Sequence, residues 1–126
     1  MLRPAGDGTE GTLPDKANLP KEHYSDEVQW PWSIYPGQKC TNFKIDGRVI
    51  CGDTTENMFK DLYYLKTIDG LSHLDTINVT SMSNMFSFEN YGISALSSLD
   101  LSGFNTSTVS DMSDMFRNCS VLTSLD

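Results

Sequence analysis

The chain has 126 residues, enough for one small domain, and seventeen acidic side chains against nine basic ones give it a formal net charge of −8. That balance disfavours DNA, RNA and anionic membrane surfaces as partners, because a phosphate-binding face needs clustered Lys and Arg, and no apolar run reaches the length of a membrane span. We therefore predict no nucleic acid partner and no direct insertion into a membrane.

The first 56 residues divide into two segments by composition. Residues 1–27 are poor in apolar groups and rich in Gly, Pro, Asp, Glu and Lys, which predicts an extended arm or linker. Residues 28–56 follow, and their stretch "VQWPWSIYPGQ" concentrates Trp30, Trp32 and Tyr35. We predict that these aromatic side chains cover the open end of the structure formed by the residues that follow them in the chain. The alternative is an exposed patch that stacks on sugars or binds a partner.

A hairpin signal lies between the first two cysteines. Asp46-Gly47 favours a two-residue turn between alternating apolar positions, so we predict that residues 28–56 form a β-hairpin cap. A turn centred there places Cys40 and Cys51 on one face but diagonally, so a disulfide between them requires a bulge that shifts the register. The bonded and the free states both stay open. Cys119 is predicted to be a small buried apolar side chain.

Residues 57–126 are repetitive. Met-Phe pairs recur at residues 58–59, 85–86 and 115–116, and the leucines at 96 and 99 return at 122 and 125. Such a period is not that of a heptad coiled coil and is shorter than that of helical-pair repeats, but it fits leucine-rich repeats. We predict that the repeats are truncated at the C-terminal end, so that further repeats or another subunit continue the stack.

Each repeat unit predicts a strand followed by a short helix. In "SLDLS", Leu99 and Leu101 alternate with Asp100 and Ser102, which indicates a strand with one buried face. Beyond a turn, four apolar side chains fall at the spacing of one helical stripe. They are Val109, Met112, Met115 and Phe116. The stripe predicts that the repeat methionines pack in a core and do not bind a metal.

The phrase L-x-x-L-D-L-S-G-F-N-T-S-x-V-x-x-M-S-x-M-F-x-x-C-x-x-L-x-x-L, residues 96–125, resembles the repeat of BspA-type leucine-rich-repeat surface proteins, which is also found in lipoprotein-like proteins of wall-less bacteria. A looser copy occupies residues 65–86. The resemblance covers only the last part of the chain. It implies an α/β leucine-rich-repeat solenoid of short parallel strands and short helices over residues 57–126. It also implies an extracellular, cell-surface role in adhesion or host contact.

Three acidic residues occupy equivalent strand positions in the predicted repeats. Asp69, Asp100 and Asp126 would form a row on the solvent face, with carboxylates about 4.8 Å apart. Together with Ser102, and with Trp30 and Trp32 in the cap, they are the predicted binding residues. A hard cation such as calcium could occupy the row. We favour the alternative that the row is solvated and discourages aggregation at the strand edges, so no metal is predicted.

Three sequons, at Asn78, Asn105 and Asn118, would accept N-linked glycans in a eukaryotic secretory protein. In a bacterial protein the same asparagines would be turn and cap residues. We leave both interpretations open.

No constellation in the sequence indicates catalysis. His23 and His73 stand apart from any cluster with zinc spacing, and neither a Gly-x-Ser-x-Gly elbow nor a glycine-rich phosphate loop is present. We therefore predict that the protein is not an enzyme and binds no cofactor. A third hypothesis is a fragment of a secreted enzyme that uses Cys119 or the acidic row.

The predicted function is a non-enzymatic extracellular module that mediates adhesion or binds a protein or glycan at a cell surface. The alternative is a self-assembling subunit of an extracellular filament or surface layer, whose partners are copies of itself.

Overall fold

Short strands joined by turns make up the computed structural model, which describes residues 10–12, 30, 41–89 and 94–125. One turn of 3-10 helix spans Leu71–His73. The strands are two or three residues long. They are β1 (Glu10–Thr12), β2 (Asn42–Lys44), β3 (Arg48–Ile50), β4 (Thr67–Asp69), β5 (Leu74–Asp75), β6 (Ser98–Leu99) and β7 (Ser124–Leu125).

All pairings between these strands are parallel. One sheet has the order β1-β3-β5, and two further sheets pair β2 with β4 and β6 with β7. Phe43 faces Ile68 across the second sheet, and Leu99 faces Leu125 across the third. Because a parallel partner must come from a later pass of the chain, the pairings of β2 with β4, β3 with β5 and β6 with β7 each bring together segments about one sequence repeat apart.

The structure differs from the predicted hairpin at residues 42–50. Gly47 does form a turn there with φ 84, but β2 and β3 lie in different sheets and each pairs with a later strand. The reason is burial: Phe43, Ile45 and Val49 are all about 1% exposed, so the turn acts as a corner that points both strands at one core. An Asp-Gly turn specifies the bend and leaves the strand partner undetermined.

Backbone hydrogen bonds divide the described chain into three stacked units. We define unit I as residues 41–65, unit II as 66–96 and unit III as 97–122, because the Thr41 and Ser97 carbonyls accept N–H groups at the start of the next unit. In unit I the Phe59 N–H donates to the Met85 carbonyl (2.8 Å), and in unit II the Phe86 N–H donates to the Met115 carbonyl (3.0 Å). We call this row of bonds, which includes the residues on either side, the ladder.

The Met-Phe segments are turns and not the predicted short helix. The residue before each pair has a left-handed backbone: φ is 61 at Asn57, 55 at Asn84 and 54 at Asp114. A right-handed helix cannot pass through such a residue, and the alternate N–H groups point to the neighbouring unit instead of to carbonyls four residues back. Asn and Asp tolerate this conformation better than other residues with side chains.

Hydroxyl and carboxylate side chains hold these turns in shape. Thr54, Ser81 and Asp111 occupy equivalent positions, since Ser81 forms a parallel bridge to each of the other two. In each case the side-chain oxygen accepts the N–H of the residue two positions on, at 3.0, 3.4 and 2.9 Å respectively. Such local bonds fix a turn without needing tertiary contacts, which explains why Ser, Thr and Asp recur here.

One apolar core runs through all three units. The rings of Phe59 and Phe86 stack with centroids 5.5 Å apart, and Phe86 stacks on Phe116 at 5.9 Å. Of the four repeat methionines, Met82 and Met85 are fully buried and Met115 is 5% exposed, as the core prediction requires. Met112 is 48% exposed and departs from it.

The two described cysteines carry free thiols. Of the bonded and free states left open by the sequence, Cys51 is in the free state, and its side chain is buried. Cys40 lies outside the described residues. Cys119 was predicted to be buried, but its side chain is only half-buried. Its thiol donates to the Phe86 carbonyl at 3.2 Å.

Trp30 closes the N-terminal side of unit I. It is 1% exposed, and its indole N–H donates to the Glu56 carbonyl at 2.7 Å. Trp30 therefore offers no exposed ring to a ligand, which differs from its prediction as a binding residue. Trp32 lies outside the described residues.

Candidate functional site

A polar groove of about 320 Å³ opens where the three units meet at a corner of the fold. Gly70, with φ 86, turns the chain from β4 into the 3-10 helix, and Gly103 of unit III lies against Ser72. The lining residues come from all three units. They are Arg48, Ser72, His73, Leu74, Asp75, Thr76, Gly103 and Asn105.

An ion pair between units I and II forms the charged part of this groove. Arg48 at the start of β3 donates through Nη2 to Oδ2 of Asp75 at the end of β5, and the two side chains are 56% and 24% exposed. The Ile77 N–H and, second, the Arg48 guanidinium hold the pKa of Asp75 below its usual range. Asp75 therefore stays ionised beside the Arg48 guanidinium at neutral pH, and the groove has a fixed dipole with little net charge.

Two further polar side chains are held in place beside the pair. The Nδ1–H of His73 donates to the Ile45 carbonyl at 2.8 Å, and this bond fixes the orientation of the ring. The buried Thr76 hydroxyl donates to the Asn105 carbonyl at 3.0 Å and accepts the Asn105 N–H at 2.8 Å. The groove thus joins donors and acceptors that are already oriented, as a polar ligand requires.

The predicted acidic row is only partly formed. Asp69 ends β4 and Asp100 follows β6; both are exposed, but Asp69 lies opposite Lys44 in the register of the sheet. Asp126 lies outside the described residues. Among the described residues no group of three His, Cys, Asp or Glu side chains is placed to hold a metal ion.

Asp100 and Ser102 are hydrogen-bonded to each other and lie just before the groove lining in the sequence. Oδ1 of Asp100 accepts the Ser102 N–H at 3.0 Å and its hydroxyl at 2.6 Å, and these bonds lower the pKa of Asp100. Ser102 directly precedes Gly103 of the groove lining. The pair therefore places a fixed carboxylate and hydroxyl beside that lining.

The three sequon asparagines differ in how far their amides are engaged. Nδ2 of Asn118, the atom that a glycan would modify, donates to the Phe88 carbonyl at 2.8 Å. Oδ1 of Asn105 accepts from the Ser107 hydroxyl at 2.6 Å. Asn78 is exposed. Modification at Asn118 would break a bond between units II and III.

The groove residues Arg48 and Asp75 were not identified from the sequence, and His73 was set aside as isolated. One signal could have found the pair: a base and an acid 27 residues apart, which is one repeat, so that parallel stacking makes them neighbours.

Comparison with protein families matches residues 52–125 to a family described as Mycoplasma protein of unknown function, DUF285. The chain belongs to this family. The DUF285 family is associated with surface proteins, in agreement with the BspA-type resemblance of the repeat phrase. No curated protein and no solved structure matches the chain.

The DUF285 match begins just before the turns of unit I and includes units II and III. Asp75, His73 and Asn105 of the groove lie inside it, whereas Arg48 precedes it. Among the described residues no helix is both long and apolar enough to cross a bilayer.

Proposed function

We propose that this DUF285 chain is a non-enzymatic binding module of an extracellular surface protein, in which a solenoid of leucine-rich-repeat type presents the polar groove to a protein or glycan. The observation that carries the proposal is the groove itself, where an ion pair, an imidazole and an amide from three units converge at the surface. The DUF285 membership supports the surface location.

The parallel pairing supports the solenoid part of the proposal. Ladder bonds join Thr55 to Ser81 and Met82 to Asp111, so the same turn recurs in each unit and stacks on its predecessor. A stack of this kind holds surface residues of neighbouring units in fixed register, as in other repeat proteins that bind through extended faces.

The chemistry of the groove favours a hydroxyl-rich ligand without strong negative charge. Asp75 neutralises Arg48, and the chain as a whole carries −8, so an anionic ligand would meet repulsion. Hydroxyl groups of a glycan, or polar side chains of a protein, can both donate to Asp75 and accept from Asn105. The hydroxyl of Ser102 extends this polar surface.

The state of the described thiols argues against the hypothesis of an enzyme that uses Cys119 as its nucleophile. Burial, followed by the nearby Asp75 carboxylate, raises the pKa of Cys51 to about 12. Burial also raises the pKa of Cys119. Because a thiolate is the nucleophilic form of cysteine, both side chains are poor nucleophiles at neutral pH.

Binding to an immobilised glycoprotein tests the proposal. We expect the chain to bind surface-coupled desialylated mucin, whose glycans carry hydroxyl groups and little negative charge, in biolayer interferometry. We expect Arg48→Gln combined with Asn105→Ala to weaken binding about tenfold or more, since each removes a polar contact worth about 1 kcal/mol. Arg117→Gln, an exposed arginine outside the groove lining, is the matched control. Periodate oxidation of the mucin separates glycan from protein recognition. Equal binding by the groove variant and the control would contradict the proposal.

The architectural alternative requires copies to join end to end. Trp30 and β1 already cover parts of unit I that a second copy would have to contact. We therefore favour the binding module. Polymers that grow with concentration in light scattering, and disappear when residues 1–27 are deleted, would favour the alternative.

A further inference from the structure

Asn105 places a hydrogen-bond donor of fixed orientation in the lining of the polar groove. Its Oδ1 accepts both the Ser107 N–H at 3.0 Å and the Ser107 hydroxyl at 2.6 Å, so the oxygen of the amide is turned toward Ser107. Nδ2 is the other end of the amide and finds no acceptor among the described residues. Because an amide nitrogen donates and does not accept, the exposed Asn105 side chain selects an acceptor atom in a ligand.

The acceptors of the groove belong to Asp75 and His73. Oδ1 of Asp75 accepts the Ile77 N–H at 3.2 Å, and Oδ2 accepts from Arg48. A carboxylate has about four lone-pair sites, so Asp75 can accept further bonds from a ligand. The Ile45 carbonyl can only accept, so Nδ1 of His73 carries the proton and Nε2 of the neutral ring is an acceptor. These two side chains select donor groups in a ligand.

A secondary amide matches a fixed donor that faces fixed acceptors. Its carbonyl oxygen accepts, its N–H donates in the opposite direction, and resonance holds both in one plane. Asp75 belongs to unit II and Asn105 to unit III, so the groove offers its acceptor and its donor from two different units. A hydroxyl group can fill either role, but it loses rotational freedom when it binds, whereas an amide is already rigid. The groove therefore favours an amide over a hydroxyl group.

The backbone around the groove favours a small amide over the main chain of a protein. Extended peptides bind by pairing with an open strand edge. Just beyond β5 that edge is covered, because the Thr76 hydroxyl bonds to both the N–H and the carbonyl of Asn105. Gly103 approaches so closely that a Cβ atom on it would lie 3.0 Å from Cα of Ser72. The groove volume of about 320 Å³ lies at the lower end of the range for ligand pockets, which suits one sugar unit.

We propose that the groove binds the acetamido group of an N-acetylated amino sugar in a neutral glycan. Nδ2 of Asn105 donates to the acetamido carbonyl, Asp75 accepts the acetamido N–H, and Nε2 of His73 accepts a hydroxyl group of the sugar ring. A neutral sugar suits an internally balanced ion pair in a chain of net charge −8, whereas a carboxylated sugar with the same acetamido group meets repulsion. This inference rests on the proposed function and specifies the ligand of the same groove.

Two tetrasaccharides of the same linkage test the proposal. Chitotetraose carries an acetamido group on each ring where cellotetraose carries a hydroxyl group, so the pair isolates this substituent. The chain is produced in a bacterial host, so that the sequon at Asn105 stays unmodified. We expect it to bind chitotetraose about tenfold or more tightly than cellotetraose, the effect of one or two net hydrogen bonds. In NMR spectra of the isotope-labelled chain, chitotetraose should shift the side-chain amide signals of Asn105.

Asn105→Asp removes the donor and keeps the shape of the side chain. The new carboxylate can still accept both bonds from Ser107, so the melting temperature should change little. We expect chitotetraose binding to weaken about tenfold or more and cellotetraose binding to change less, so that the preference is lost. Asn78→Asp is the matched control, because it adds the same charge at an exposed asparagine outside the groove lining and should leave the preference intact.

Equal affinities for the two tetrasaccharides would overturn the inference and leave the proposed function standing. So would a chain that binds desialylated mucin and fails to bind chitotetraose, or an Asn105→Asp chain that keeps the preference. An equal loss of preference in Asn78→Asp and Asn105→Asp would show that charge and not the amide donor decides, and would also overturn it. A chain that binds neither mucin nor either tetrasaccharide would refute the proposed function and this inference together.

Discussion

Gly70 is the position where a single methyl group should do the most damage to the contact between units I and II. Its φ is 86, and a Cβ atom there would lie 2.4 Å from the Ile45 carbonyl oxygen. That oxygen also accepts the His73 Nδ1–H at 2.8 Å, so it cannot move away without losing a bond. For Gly70→Ala we expect about 1–2 kcal/mol from the left-handed backbone and about 1–3 kcal/mol from the forced shift of the carbonyl. The expected loss is about 2–5 kcal/mol of unfolding free energy.

Urea unfolding followed by tryptophan fluorescence measures this loss, because the buried Trp30 reports on unit I. Gly103→Ala is the matched control: its φ is not positive, and its nearest neighbour would be Ser72 at 3.0 Å. It should cost clearly less. Gly70→Asn relieves the backbone strain and keeps the clash, so it should fall between the wild type and Gly70→Ala. A Gly70→Ala protein within 0.5 kcal/mol of the wild type, a threshold of about the size of ordinary surface effects, would refute the reasoning.

Three further predictions use the same measurement. Phe86→Ala should cost about 3–5 kcal/mol because the ring lies between two others. Phe116→Ala should cost roughly 1–2 kcal/mol because, among the described residues, only Phe86 stacks on its ring. Asn84→Val should cost about 1–2 kcal/mol, since φ is 55 there and a β-branched side chain opposes it, whereas Asn84→Gly should be nearly neutral. The folded-state pKa of Cys51 is raised to about 12, so its stabilising effect is complete below pH 9 and is lost as pH rises toward 12. The free energy should fall by about 1.4 kcal/mol per pH unit in that window relative to Cys51→Ala.

Each of these has an outcome that contradicts it. Equal costs for Phe86→Ala and Phe116→Ala would show that the ring stack does not end at unit III. An Asn84→Val protein as stable as Asn84→Gly would show that the left-handed turn is not required. Parallel pH curves for the wild type and Cys51→Ala between pH 9 and 12 would show that the Cys51 thiol is accessible to solvent.

The repeat register could be predicted from the sequence because identical side chains meet identical side chains. The Met-Phe pairs fixed the alignment of Phe59, Phe86 and Phe116, whose rings stack in order, and the leucines fixed the pairing of Leu99 with Leu125. Apolar side chains recur at this spacing because each must lie on its equivalent in the next unit.

The local conformation within a unit was harder to predict for a physical reason. Apolar residues three and four apart suit a short helix, but they suit a series of stacked turns equally well. Only the left-handed Asn57, Asn84 and Asp114 distinguish the two, and Asn or Asp before an apolar pair has no unique meaning in a sequence. The Asp-Gly turn likewise gave the bend and not the strand partner.

The candidate site depended on contacts between units, which no local pattern contains. Arg48 and Asp75 come together because β3 and β5 pair, and that pairing was hidden by the expectation that β3 would pair with β2. Asp69 and Asp100 were placed on the surface by alternation alone, and both are exposed. What each of them touches depends on neighbouring turns, as the bond from Ser102 to Asp100 shows.

The one-way ladder has a consequence for the order in which the protein can form. Trp30 precedes unit I in the chain, and in units I and II the ladder N–H groups donate to the unit synthesised after them. A nascent chain that emerges from the N-terminus therefore always has a finished template before the next segment arrives. Ribosomal synthesis and structural growth run in the same direction, so a chain of this kind can fold vectorially without waiting for its last residues.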